Sequence, residues 1–243
     1  MNTLIRQALG LLVLTVVAAT GCMNSSAPPD GPRAVETPPV VVEAKKKLLA
    51  KNIFFETQGG KRRVIVSATV AWREGQFCEF FLCRKDSKEY ESVLVADIEP
   101  LQVHEALIAA GAKAGSPVQY DPTFLPPQGD KIQVTLRWET NGRQQTVPAQ
   151  SWLRDTKTHK EMACDWVFAG SRFVENPLDA KRPRDYLANS EGIVMTLANF
   201  EGSVLDVSIP SAKLRADQEF EAFGEHIPPL GTAVAVILEP VGK

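Results

Sequence analysis

Short runs of Val- and Ile-rich sequence, separated by turn residues, constrain this chain more than any other feature, because such punctuation is typical of β-strands. Residues 63–72 alternate along the segment, and residues 76–83 are largely apolar on both faces, which predicts a central strand. Asn141-Gly142 is the strongest hairpin signal in the chain. The other predicted strands are 91–98, 131–140, 143–147, 165–170, 192–199 and 233–239.

One helix has clear start and stop signals. Pro100 suits its first position, His104 and Leu107 follow at helical spacing, and Gly111 suits its C-terminal cap. A second, short helix is expected over residues 43–51. One main helix (about residues 100–111) among many strands predicts an α+β fold with a mixed or mostly antiparallel sheet.

The first residues have the pattern of an export signal. Arg6 gives a positive start, and residues 8–20 form an apolar run shorter than the roughly 20 residues that span a bilayer. The sequence Ala19-Thr20-Gly21-Cys22 resembles the box of bacterial lipoproteins, in which the cysteine becomes the lipidated first residue. The alternative is ordinary cleavage after Ala19.

We therefore divide the chain into a signal peptide (1–21), a lipid-anchored flexible tether rich in Pro, Ser and Ala (22–52), and a single globular domain (53–243). A lipidated Cys22 predicts a lipoprotein of the bacterial cell envelope that faces the periplasm and has the membrane as its partner. Met23, rather than Asp, follows the cysteine and slightly favours the outer membrane.

The charge pattern argues against nucleic acid as a partner. The formal net charge is −2, and no cluster of Lys and Arg is interleaved with aromatic residues. Lys45-Lys46-Lys47 is a basic run of three. It could lie near anionic lipid headgroups, although a solvated helix face is the favoured interpretation.

Three cysteines remain if Cys22 carries lipid. Cys78 and Cys83 are five residues apart, so in a straight strand they point to opposite faces and cannot bond to each other. A disulfide would then join Cys164 to one of them. The favoured alternative is three buried, reduced thiols that act as small apolar side chains.

Familiar catalytic signatures are missing from the sequence. It has no nucleophile elbow, phosphate-binding loop, dinucleotide glycine pattern or Cys-x-x-Cys pair, and we expect no cofactor. His104-Glu105 begins like a zinc-protease helix, but Ile108 stands where the second histidine is needed. A metal or redox site built from Cys83, Cys164 and His104 is the alternative that this leaves.

The densest polar group is the segment 85–92, directly after a predicted buried strand. Glu89 and Glu91 are two residues apart, so in an extended segment they face one side, as a carboxylate-based hydrolase or a cation site would require. The favoured alternative is a solvated turn. Lys88, Glu89, Glu91 and Ser92, together with His104, form the candidate binding surface or polar network.

This part of the sequence resembles the YdjY domain family. The resemblance rests on Phe80-Phe81-Leu82-Cys83, on the phrase from Lys88 to Leu94 and on His104-Glu105-Ala106-Leu107, and it continues through the stretches 152–154, 165–171, 186–199 and 227–232. It covers roughly residues 53–240 and implies a secreted or lipid-anchored relative of planctomycete-type bacterial proteins. Some relatives carry ferredoxin-like cysteine clusters, which this chain lacks. The resemblance implies no activity, but it places His104 and the 88–92 segment in the family pattern.

The sequence therefore predicts a lipid-anchored envelope protein that binds an unknown protein or small-molecule partner near residues 83–92 and His104. The alternatives are the metal or redox module and the hydrolase named above. Whether the protein is an enzyme stays open at this point.

Overall fold

A computed structural model describes residues 45–74, 78–175, 181, 183–210 and 219–242. The predicted signal peptide, Cys22 and most of the predicted tether lie outside the described residues, as do Gln76 and Phe77. The elements below all belong to the described part.

The strands, in chain order, are β1 (Lys45–Ala50), β2 (Ile53–Gln58), β3 (Lys61–Val70), β4 (Phe80–Arg84), β5 (Ser92–Ala96), β6 (Ala114–Ser116), β7 (Gln128–Gly129), β8 (Lys131–Thr140), β9 (Arg143–Pro148), β10 (Leu153–Asp155), β11 (Trp166–Val167), β12 (Phe173–Val174), β13 (Asp185–Tyr186), β14 (Ile193–Thr196), β15 (Asp206–Val207), β16 (Phe220–Ala222) and β17 (Ala233–Pro240). The helices are α1 (Pro100–Ala110) and α2 (Leu187–Glu191), with 3₁₀ turns at Glu89–Glu91 and Ala149–Trp152.

One large mixed sheet organises the described residues. Its main path runs β14-β4-β5-β3-β17-β8-β11-β15, with β2 and then β1 added beside β3, and β9 beside β8. Within this sheet β4 and β5 run parallel, and the other described pairs are antiparallel. The two ends of the path meet at the parallel bridge Met195↔Leu205, so the sheet nearly closes on itself.

The predicted α+β class is wrong, because the protein is mostly β. Of the described residues, 46% lie in strands and 13% in helices, so strands and not helices dominate the fold. The helix predicted over 100–111 does form as α1, with Gly111 in the left-handed conformation as its cap. The error came from strands of two or three residues, such as β13 and β15, which are too short to show an alternating pattern.

The short helix predicted over 43–51 is also wrong. Lys45–Ala50 forms strand β1, which pairs antiparallel with β2. Lys, Leu and Ala are good helix formers, but pairing with a neighbouring strand supplies the backbone hydrogen bonds instead. The sheet thus begins before residue 53.

The predicted Asn141-Gly142 hairpin is confirmed. Thr140 pairs with Arg143, and both turn residues have positive φ, 52° for Asn141 and 70° for Gly142, as a type I′ turn requires. The predicted strands over 63–72, 131–140 and 233–239 correspond to β3, β8 and β17.

The core lies between the sheet and α1. Val103, Ala106, Leu107 and Ala110 form the buried face of α1 and join the same cluster as the side chains of the sheet interior. His104 directly follows Val103, so it lies at the margin of this buried face. Among the described helices, none combines the length and apolar character needed to cross a membrane.

Candidate functional site

His104 lies on α1 with its imidazole wedged between two aromatic side chains. Its ring centroid is 4.9 Å from that of Phe168 and 5.6 Å from that of Tyr186, both in edge-to-face orientation. Tyr186 is buried, whereas His104 is half-buried. We call His104, Phe168, Gly170, Ser171 and Tyr186 the His104 site.

The hydrogen bonds of the site assign the proton on the imidazole. His104 Nδ1 lies 3.1 Å from the Gly170 carbonyl oxygen and 2.9 Å from the Tyr186 hydroxyl, and that hydroxyl lies 2.9 Å from the same carbonyl. A carbonyl can only accept, and the tyrosine has one hydrogen to donate. All three contacts are satisfied when Tyr186 donates to Gly170 and Nδ1 carries the imidazole proton, which leaves the Nε2 lone pair available.

The electrostatics of the site favour neutral groups. Burial lowers the pKa of His104 below its usual value, and the hydrogen bond to Gly170 only partly opposes this. Burial also raises the pKa of Tyr186. Both rings are therefore uncharged at neutral pH. Within the described residues Nε2 has no hydrogen-bond partner, so the site offers a base, an acceptor or a metal ligand at that atom.

We expect His104 to titrate below its ordinary pKa of about 6.5. Since the folded pKa is lowered, the stability that neutral His104 contributes is fully present above that ordinary value and is lost as the pH falls through the folded pKa. An NMR titration of the imidazole resonances measures this directly, with the urea-unfolded protein as the reference. A folded value at or above the unfolded one would contradict the neutral assignment.

A strained turn holds the acceptor of this site in place. Gly170 has a φ of 87°, and Ser171, which is not glycine, has a φ of 51°. The Ser171 hydroxyl accepts a hydrogen bond from the Ala188 backbone N–H at 3.1 Å, so the turn also fixes the beginning of α2. Strain of this kind persists only where the surrounding contacts over-determine the backbone.

Replacing Gly170 with Ala should disturb this arrangement. A Cβ there would lie 2.8 Å from Ala114 Cβ and 3.4 Å from His104 Cε1, in addition to the cost of the positive φ. We expect a loss of about 1–3 kcal/mol of unfolding free energy and a changed environment for the His104 ring. Urea unfolding measures the first and the His104 NMR shifts the second; Gly142→Ala, at positive φ with open space around it, is the matched control.

Within the predicted 88–92 segment, Glu89 has a structural role. Its carboxylate accepts hydrogen bonds from the backbone N–H groups of Asp86 and Ser87, and these bonds, against the opposing effect of burial, lower the pKa of Glu89. Glu91 is buried and lies 3.9 Å from Lys88 Nζ. The two carboxylates thus have different partners, and the lowered pKa of Glu89 is the reverse of what an acid catalyst needs.

Helix α2 lies between the two parts of the predicted surface, which are the 88–92 segment and His104. Ser92 is fully buried, with its hydroxyl donating to the Leu94 carbonyl at 2.8 Å. Gly192, which caps the end of α2, accepts a hydrogen bond from the Arg84 N–H at 2.8 Å, beside the 85–92 segment. The beginning of α2 adjoins the His104 site, so this five-residue helix, about 7 Å long, lies between the 85–92 segment and the His104 site.

The proposed metal or redox residues are not brought together. Cys83 lies beside Ser87 and Ser92, Cys164 beside Gln150, and His104 beside Tyr186. All three remaining cysteines are free thiols. Burial raises the pKa of Cys78 and of Cys164 to about 12 and also raises that of Cys83. In the described part of the chain, no three His, Cys, Asp or Glu side chains are grouped as metal ligands.

A buried polar network centred on Asp206 was not predicted. Asp206 is fully buried and accepts hydrogen bonds from Thr196 Oγ1 at 3.0 Å, from Asn199 Nδ2 at 3.1 Å and from the Phe200 N–H at 3.3 Å. Ser203 Oγ lies 3.1 Å from Thr196 Oγ1 and extends the network. The available signal was one acid inside the apolar run Val204-Leu205-Asp206-Val207. Because donors already converge on its carboxylate, we assign this network to the architecture.

Comparison of the sequence with models of protein families matches residues 57–239 to the YdjY domain. This match confirms the resemblance inferred from the sequence. No curated protein and no solved structure matches the chain.

Proposed function

The chain belongs to the YdjY domain family, and from that premise we propose that it is a lipid-anchored protein of the bacterial cell envelope whose YdjY domain binds a ligand at the His104 site. The ligand is a protein or small molecule that presents a hydrogen-bond donor to the imidazole. Nucleic acid is not part of the proposal, since the chain lacks a basic surface pattern of that kind.

The anchoring part of the proposal is supported by the leader. Its positive start, short apolar run and Cys22 fit lipidation, and Met23 favours the outer membrane. Labelling of expressing cells with radioactive palmitate tests this part. We expect label on the wild-type protein and none on Cys22→Ser; equal labelling of both, or none on either, would remove the anchor.

The binding part rests on one observation, the neutral imidazole of His104 with an unoccupied Nε2. The ring is oriented by the Gly170 carbonyl and the Tyr186 hydroxyl, so the nitrogen is fixed before any ligand arrives. Pre-orientation reduces the entropy that binding must overcome.

Carbethoxylation tests the binding part, because diethyl pyrocarbonate reacts with an accessible, unprotonated imidazole nitrogen. The rate at each histidine is measured by peptide mass spectrometry, with and without fractions of an envelope extract. We expect one fraction to slow modification of His104 while His159 and His226 react at unchanged rates. Slowing at all three histidines, or at none of them with any fraction, would argue against a ligand at this site.

A further inference from the structure

Strand β1 forms an exposed margin of the large sheet. It pairs with β2, and no other described strand lies beside it. The side chains of Lys45, Lys46 and Lys47 are all exposed. A strand at such a margin presents side chains from both faces of the sheet, since successive residues point in opposite directions.

Lys46 is in register with one acidic residue, Glu56, whose carboxylate pairs with Arg63. Within the described residues none of the three lysines forms an ion pair; Lys46 Nζ instead lies 4.0 Å over the Phe54 ring. Lys45 is in register with Thr57, and Thr57 with the exposed Arg62, so Arg62 adds a cation on the face that Lys45 occupies. The margin is thus locally positive on a chain with a net charge of −2.

Two exposed leucines follow the lysines directly. Leu48 is 59% exposed and Leu49 is 42% exposed, at a point where the pairing with β2 shifts register between Leu48 and Ala50. Lysines alone on an edge strand are a common protection against pairing with another sheet. Adjacent exposed leucines instead promote association with other apolar surfaces in water. Protection of the edge therefore does not account for the whole segment. Basic and large apolar side chains side by side suit a membrane interface.

We propose that the β1 margin, defined by Lys45–Leu49 and Arg62, docks on the surface of an anionic phospholipid bilayer. The lysines contact headgroup phosphates, while Leu48 and Leu49 enter the interfacial layer. This inference rests on the proposed anchoring, because residues 23–44 would connect acylated Cys22 directly to β1 and can span at most about 80 Å. Docking would fix the orientation of the domain at the membrane.

The test uses the chain from residue 22 onward with Cys22→Ser, which retains every described residue and carries no lipid. It is sedimented with vesicles of phosphatidylcholine alone and of phosphatidylcholine mixed with phosphatidylglycerol. We expect binding to the anionic vesicles that weakens with added salt. Replacing Lys45, Lys46 and Lys47 with Gln should lower the partition coefficient roughly 100-fold, about fivefold for each lysine. Leu48→Ser with Leu49→Ser should also weaken binding.

The matched control replaces the exposed Lys85, Lys113 and Lys160 with Gln, the same change in charge elsewhere on the surface. An equal loss of binding in this control would show attraction by total charge and overturn the proposal. Equal binding to both vesicle types would also overturn it. So would a Lys45/Lys46/Lys47→Gln variant that still binds vesicles but self-associates, since the lysines would then only protect the edge. Because the protein carries no lipid, a negative palmitate result leaves this measurement interpretable.

Discussion

Replacing Asp206 with Asn should flatten the pH dependence of the unfolding free energy between about pH 4 and pH 7. Burial raises the pKa of Asp206 to about 7, although the hydrogen bonds from Asn199 and Thr196 oppose this rise. In the unfolded chain its pKa returns to an ordinary value near 4. The stability that protonated Asp206 contributes is therefore fully present below about pH 4 and is lost as the pH rises through the folded value.

The expected size of this effect follows from the difference in pKa. About three units correspond to about 4 kcal/mol, which the wild type should lose relative to Asp206→Asn between pH 4 and pH 8. Urea unfolding at several pH values measures it. Ser203→Ala is the matched control, because it removes a hydroxyl from the same network and keeps the carboxyl; it should be less stable with an unchanged pH profile. Parallel profiles for wild type and Asp206→Asn would contradict the prediction.

Replacing Trp166 with Ala should lower the unfolding free energy by about 3–5 kcal/mol. The indole is fully buried with its centroid 5.4 Å from the Phe81 ring, and its Nε1 donates to the Thr196 carbonyl at 2.8 Å. Its backbone lies in β11, which pairs with both β8 and β15. The substitution therefore empties a large volume and leaves a carbonyl unpaired beside the Asp206 network.

Two conservative variants separate these contributions. Trp166→Phe keeps most of the volume and removes the buried hydrogen bond, so we expect a loss of about 1–3 kcal/mol. Trp138→Phe is the control, because its indole donates to Thr140 Oγ1 at the surface, where water can replace it. Thermal or urea unfolding compares the three variants. If Trp166→Ala unfolds like the wild type, the assignment of the core is wrong.

The long strands and α1 could be predicted because each carries its own signal. Residues 131–140 alternate and end in Asn141-Gly142, and Pro100 and Gly111 bound the helix. Strands such as β15 carry no local pattern, and their hydrogen bonds come from neighbours that the sheet supplies. The same reason explains the wrong helix at 43–51, where pairing with β2 overrides local preference.

Only part of the site was predicted, and the reason is related. His104 was recognised, but its partners Gly170 and Tyr186 are 66 and 82 residues further along the chain. No spacing rule joins residues so far apart. Glu89 and Glu91 were expected to face one side of an extended segment, but they lie in a 3₁₀ turn, where the two-residue alternation does not hold.

The position of β17 has a consequence for how the molecule assembles. This is the last strand along the described chain, yet it lies in the middle of the sheet, bonded to β3 on one side and β8 on the other. The hydrogen bonds that link β3 to β8 through β17 must wait until residues 233–240 have been synthesised, whereas the bridge Met195↔Leu205 joins the other ends of the path without them. Until then β3 and β8 each present an unfilled edge on a growing polypeptide, and β17 covers both edges at once.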